Sequence, residues 1–255
     1  MWKKLRITFL LFILATVALS TWRAQGHARD WHNTLQIAVF PINGDGSART
    51  AARIASLNAE SFKDIERFLA EQAAEHGVST LMPVHVSLQP ALASLPPPAP
   101  QARSGLDVVL WSLKLRGWAW HQPDGVPHAD IRAFVIYWDS DLSGGRVPDS
   151  HGLAKGQLAI SNVHVAQEMQ RSNNVVIAHE ILHTMGATDK YDFGSLQPSY
   201  PDGFADPASN PRYPQARCEL MAGRIPVSES ELSMPHSLRE CLIGPLTARE
   251  IGMLP

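Results

Sequence analysis

NNVVIAHEILHTMGATDKYD, residues 173–192, is the stretch whose reading decides the fold. Val175, Val176, Ile177, Ala178, Ile181 and Leu182 predict a buried helix over residues 172–186, with Asn173 or Asn174 near its cap. His179 and His183 stand one turn apart on that helix, so both imidazoles leave the same face and can share a metal. Zinc takes neutral imidazole nitrogen readily, prefers four ligands and leaves one place to water at a catalytic site. Glu180 lies about 100° around the helix from His179. There it approaches that water instead of the metal and serves as the general base. Gly186 follows three residues after His183, where the helix must break sharply to bring the chain back to the metal. Asp189 follows three residues later as the third ligand. Asp192 is the nearest rival for that place, in which case Asp189 caps a turn.

Outward from this helix the chain alternates between strand and helix patterns. Residues 34–42 (TLQIAVFPI) and 130–139 (DIRAFVIYWD) predict strands, residues 79–88 a third, and residues 156–166 one strand or a bent pair. Residues 47–76 predict a helix stopped by Gly77, and residues 106–120 a helix ending near Gly117. The proline-rich residues 94–105 read as an internal connection, because neither side alone supplies a complete core. There is no internal repeat. Residues 190–217 form a long polar loop, a natural wall for a substrate cleft. Asp192, Asp202 and Asp206 in it offer oxygens to a calcium ion, but their spacing matches no known calcium loop, and a solvated surface loop is favoured.

Written as a pattern, residues 179–189 are H-E-x-x-H-x-x-G-x-x-D. The chain resembles the metzincin zinc metallopeptidases. His179, Glu180, His183 and Gly186 match their motif, which normally ends in a third histidine. Asp189 stands in that place, as an aspartate does in the snapalysin-like metzincins. The resemblance implies a methionine in a tight turn beneath the metal. Met221, in CELMAGRIP (residues 218–226) and followed by Ala222 and Gly223, fits that Met-turn. It further implies an α+β fold: a twisted, mostly parallel five-stranded sheet, an active-site helix, the Met-turn and a C-terminal helix, the last matched by GPLTAREIGML at residues 244–254. A protein or peptide substrate would lie extended along the sheet edge near residues 144–160, paired through its backbone. The implied activity is that of a zinc metalloendopeptidase with one catalytic Zn2+. Tyr191 and Tyr213 are assigned no catalytic role.

The first 26 residues read as a targeting segment. Lys3, Lys4 and Arg6 precede an apolar run over residues 7–19, and Trp22 and Arg23 follow. It is either a signal peptide cleaved at Ala18-Leu19-Ser20 or an uncleaved membrane anchor from Leu5 or Ile7 through Trp22, with Trp2 and Trp22 at the interfaces. Either way residues 27–255 are expected outside the cytoplasm as a single catalytic domain, membrane-anchored in one case and secreted or periplasmic in the other. In an oxidising compartment Cys218 and Cys241 are expected to form a disulfide, with two buried thiols as the alternative. Both lie after the metal helix, so no propeptide cysteine switch is present.

The whole chain has 255 residues, 45% of them apolar, enough for one domain with a proper core. A net charge of -2 points to no nucleic-acid partner. Two other readings stay open: a non-enzymatic exported module that keeps zinc for binding or structure, and a zinc hydrolase acting on a non-peptide amide. Glu180 argues against the first, because a structural site has no need of a base there.

Overall fold

A computed structural model describes residues 6–7, 26–100, 105–123, 129–142 and 144–255. Four strands form the parallel part of one sheet, three of them apolar runs and the alternating β2: β1 (Leu35–Asn43), β2 (Val84–Leu88), β3 (Ile131–Trp138) and, after the short β4 (His151–Leu153), β5 (Leu158–His164). The strand order is β2-β1-β3-β5-β4, with β4 antiparallel on the outer edge. Continuous apolar strands of this kind are those covered on both faces, and alternation along β1 shows the division. Ile37 and Val39 join the cluster under the helices that follow β1 and β5, whereas Ala38 and Phe40 join a smaller cluster on the other face. The fold is thus mixed α and β, with a mostly parallel five-stranded sheet.

The larger cluster holds helix α1 (Ala48–Ala55) at its margin and α2 (Lys63–Glu75) against the sheet. The smaller one lies under α3 (Gly105–Trp120), through Leu115 and Ala119. Helix α4 (Gln170–Thr184) crosses the larger cluster with Ile177, Ala178, Ile181 and Leu182 wholly buried. Past it the chain makes only short elements: β6 (Cys218–Glu219) beside β9 (Cys241–Leu242), β7 (Ile225–Pro226) beside β8 (Leu232–Ser233), and a final helix α5 (Pro245–Glu250).

Several expectations need correcting. The helix over residues 47–76 is two helices, because Asn58 opens a new one. Its side chain accepts from Glu60 N at 3.0 Å while Ser61 Oγ takes the Asn58 N–H at 3.1 Å, a reciprocal cap that ends any continuation from α1. Helix α3 does not stop at Gly117 but runs on to Trp120; one interior glycine costs a helix only about 1 kcal/mol. Neither Asn173 nor Asn174 caps α4, which starts at Gln170. Asn173 instead bonds both the N–H and the carbonyl of His164, at 3.2 and 2.8 Å, and so ties the helix to β5.

The expected membrane-spanning anchor is not retained: no helix among the described residues is long and apolar enough to cross a membrane. The segment on which that expectation rested lies, apart from Arg6 and Ile7, outside the described residues. Cys218 and Cys241, the pair expected to form a disulfide, are register partners in β6 and β9, as a bridge would need; both are buried, and their Sγ atoms lie 2.9 Å apart without an S–S bond. The neighbouring thiol and burial hold the Cys218 thiol well above its ordinary range, so it stays protonated.

Candidate functional site

Helix α4 turns its apolar side to the sheet, which leaves His179 and His183 on its remaining face, half-buried. Their rings meet edge to face with centroids 4.7 Å apart. Each Nδ1 is spoken for. His179 Nδ1 lies 3.0 Å from the Leu220 carbonyl oxygen and His183 Nδ1 lies 2.8 Å from that of Ala187. A carbonyl only accepts, so both Nδ1 atoms carry the proton, and in a neutral ring Nε2 is then a bare lone pair. The two Nε2 atoms are 3.0 Å apart, and Asp189 Oδ1 is 3.2 Å from each of them. Asp189 Oδ1 is buried and without a hydrogen-bond partner. Three acceptors therefore converge with no proton among them. A positive charge at their centre removes that conflict, and the three side chains form the group able to hold a metal ion among the described residues.

The electrostatics say the same. Burial alone would depress His179, but the Asp189 carboxylate beside it raises its pKa to about 9. Conversely, burial would lift Asp189, but the two imidazoles hold it well below the ordinary carboxylate range. A proton and a metal thus compete for one place. Uptake of a divalent metal should weaken as pH falls below about 9, by roughly tenfold per unit for the one proton that His179 must release. Apparent dissociation constants measured at a series of pH values check this; uptake that strengthens on acidification contradicts it.

The chain returns to the histidines through Gly186, whose φ of 103° belongs to the region that glycine adopts freely. Ala187 N donates back to Leu182 O at 3.1 Å and closes the helix. Asp189 is then held from both sides. Lys190 N donates to the Met221 carbonyl at 3.0 Å. The buried Lys190 ammonium bonds Thr188 O, Thr188 Oγ1 and Glu250 Oε2 at 2.7 to 2.8 Å, which clamps the returning loop onto α5. Asp192 does not reach the group: its Oδ1 accepts from Gly194 N, Ser195 N and Ser195 Oγ in a turn of its own. Asp206 likewise accepts from Ala208 N, and Asp192, Asp202 and Asp206 form no cluster.

Met221 is wholly buried in a tight turn, Leu220–Ala222, that ends at Gly223 with a left-handed φ of 70°. Because the Leu220 carbonyl in that turn orients His179, the turn forms part of the floor of the site. Glu219, which the sequence reading missed, builds this floor. Its Oε2 accepts from Met221 N and Ala222 N at 2.6 and 3.1 Å, and its Oε1 from Gly244 N and Thr247 Oγ1 at 3.1 and 2.8 Å. The available signal was an acidic residue just ahead of a turn closed by glycine. The Lys190–Glu250 pair had no such local signal, since its partners are 60 residues apart.

Glu180 is 6% exposed, burial pushes its pKa up, and Oε2 has no partner. It opens with His179, His183 and Asp189 into a cleft of about 870 Å3. One wall is the stretch from Asp149 to Lys155, which includes β4. Tyr191, Phe193 and Leu196 of the long loop form another, in the place expected for it. Val108 and Trp111 of α3 complete the cleft, a contribution not anticipated from sequence; Tyr213 is not among the lining residues.

Replacing Asp189 separates a ligand from a turn former. Asp189→Ala should weaken metal binding about 10- to 100-fold or more, whereas Asp189→His should keep it. Metal binding to Asp189→Ala as tight as to the parent would place the third ligand elsewhere.

No protein-family model matches the chain, and no curated protein does. Among solved structures the chain is similar to OgpA from Akkermansia muciniphila, with 12% identity, a TM-score of 0.40 and 84% of this chain covered. The match spans 58% of that protein's length. A likeness this slight carries no argument about family or activity.

Proposed function

We propose that the chain is a zinc-dependent hydrolase of peptide bonds, with zinc held by His179, His183 and Asp189 and with Glu180 as the general base. One observation carries the reading. Two histidines whose Nδ1 protons are committed to carbonyls aim their Nε2 lone pairs at a single point shared with the unpartnered Asp189 Oδ1. Two imidazole nitrogens and one carboxylate oxygen make the three-ligand set of a catalytic zinc, with a fourth place left for water. The carbonyls of Leu220 and Ala187 are the outer partners that fix the tautomer of each ligand.

When bound there, zinc would polarise the scissile carbonyl and make a water acidic enough to attack near neutral pH. Glu180 would take the proton from that water and pass it to the leaving amine. Burial raises its affinity for the proton, which suits it to carry one between the two steps. An extended substrate chain would lie in the cleft beside β4, between the 149–155 stretch and the Tyr191–Leu196 loop. The test is direct. Full-length protein should take up about one zinc per chain, and it should cleave an unfolded protein such as casein in a reaction that a chelator stops and zinc restores. A chain that binds no zinc contradicts the reading. Zinc without cleavage favours the binding module.

A further inference from the structure

The edge strand β4 is held between two helices. Gly152 packs on α4, where an added methyl group would fall 2.3 Å from His183 Cβ. Its neighbours in the strand face the other way and meet α3. The His151 ring stands edge to face with the Trp111 indole, centroids 5.6 Å apart, and Leu153 packs with Trp111 on the smaller cluster. Trp111 is fixed, because its Nε1–H donates to the Pro97 carbonyl at 2.9 Å. Arg116 Nε donates to the Lys155 carbonyl at 2.9 Å and ties α3 to the turn after β4. Val108, three residues before Trp111 and so on the same side of the helix, is 42% exposed. Val108, Trp111 and Leu153 all open into the cleft that holds His179, His183, Asp189 and Glu180. Between Asp149 and Lys155 the β4 wall carries no carboxylate, lysine or arginine.

The outer edge of β4 has no partner strand among the described residues, so an extended peptide can add to it through backbone hydrogen bonds. The side chains of an added strand alternate as those of β4 do. Those on the Gly152 side turn towards α4 and the metal position. Those on the His151 and Leu153 side turn towards Val108 and Trp111. We propose that Val108, Trp111 and Leu153 form a specificity subsite for one bulky apolar side chain of the substrate, at a fixed distance along the chain from the scissile bond. The proposal rests on the reading of the cleft as that of a peptide hydrolase. Folded proteins keep most such side chains inside and their strands paired. The substrate class is therefore unfolded polypeptide that exposes aliphatic or aromatic residues, not a charged peptide.

Two measurements on the full chain test this. The first needs neither zinc nor turnover. Metal-free protein is titrated with the amidated, acetylated peptide Ala-Ala-Phe-Ala-Ala and with its counterpart carrying lysine for phenylalanine, read by NMR at the Trp111 indole N–H. The phenylalanine peptide should shift that signal and bind about 10- to 100-fold more tightly than the lysine peptide, the worth of burying one large apolar side chain. In Val108→Asp that advantage should vanish and the lysine peptide should gain. Position 108 is exposed and lies in the first turn of α3, where an added carboxylate suits the helix, so the fold should tolerate the change. Equal binding of the two peptides by the parent, an unshifted Trp111 signal, or a preference that survives Val108→Asp overturns the proposal. In the second measurement, the zinc-loaded parent digests casein and mass spectrometry locates the cuts. Leucine, phenylalanine and their like should be enriched at one position beside the cut, and Val108→Asp should abolish that enrichment. Cuts with no such enrichment overturn the proposal. If the zinc-loaded parent cuts nothing, it is the hydrolase reading that falls, and the titration still decides whether this wall takes an apolar side chain.

Discussion

Glu180→Gln is expected to keep its zinc and to lose about 10²–10⁴ of its turnover, the usual worth of a positioned acid–base group. The carboxylate is not among the three atoms that converge on the metal position, so removing its charge leaves the ligand set intact. Glutamine has nearly the same shape and fits the same space, so the fold should not register the change. What it cannot do is accept the water's proton. Zinc content and kcat on casein, read from one preparation, check the claim. An active parent whose turnover survives the substitution has its base elsewhere, and the mechanism is then wrong.

His183→Ala should remove stoichiometric zinc. An isolated structural zinc site is worth about 10–16 kcal/mol shared among its ligands, so losing one should weaken binding by roughly 10²–10³-fold. Two contacts go with the ring, the bond from Nδ1 to the Ala187 carbonyl and the approach of Nε2 to His179 and Asp189. Alanine is the best helix former, and position 183 is only half-buried, so α4 should persist. A circular dichroism spectrum like the parent's, with the zinc gone by elemental analysis, is the expected pair of results. Full zinc occupancy in this variant would remove residues 179–189 from any account of metal binding.

The candidate metal-binding group was readable because its signals are local. His179 and His183 are one helical turn apart, Gly186 marks the break, and the apolar residues between them require a buried helix. The parallel strands were readable for the same reason: β1, β3 and β5 are apolar runs whose length and bounds show directly. What failed was non-local or too short to have a period. β4 is three residues inside a stretch rich in glycine, serine and proline, and it exists because β5 offers it an edge and Gly152 lets α4 approach. Glu219 acts through donors from two separate segments, and Lys190 through a carboxylate on α5. The long helix over residues 47–76 went wrong at Asn58, where a cap signal was present but outweighed by helical spacing on either side. Export chemistry suggested a bridge between Cys218 and Cys241, and the fold makes the two register partners in β6 and β9.

The most direct measurement is X-ray absorption at the zinc K-edge of full-length protein loaded with one equivalent of the metal. The ligand set of two imidazoles, one carboxylate and one water predicts a first shell of nitrogen and oxygen alone, about four atoms at roughly 2.0–2.2 Å, with the outer-ring scattering of two histidines. A shell containing sulfur at about 2.3 Å would move the zinc to Cys218 and Cys241. That result, or a protein that takes up no zinc, would contradict a metal held by His179, His183 and Asp189.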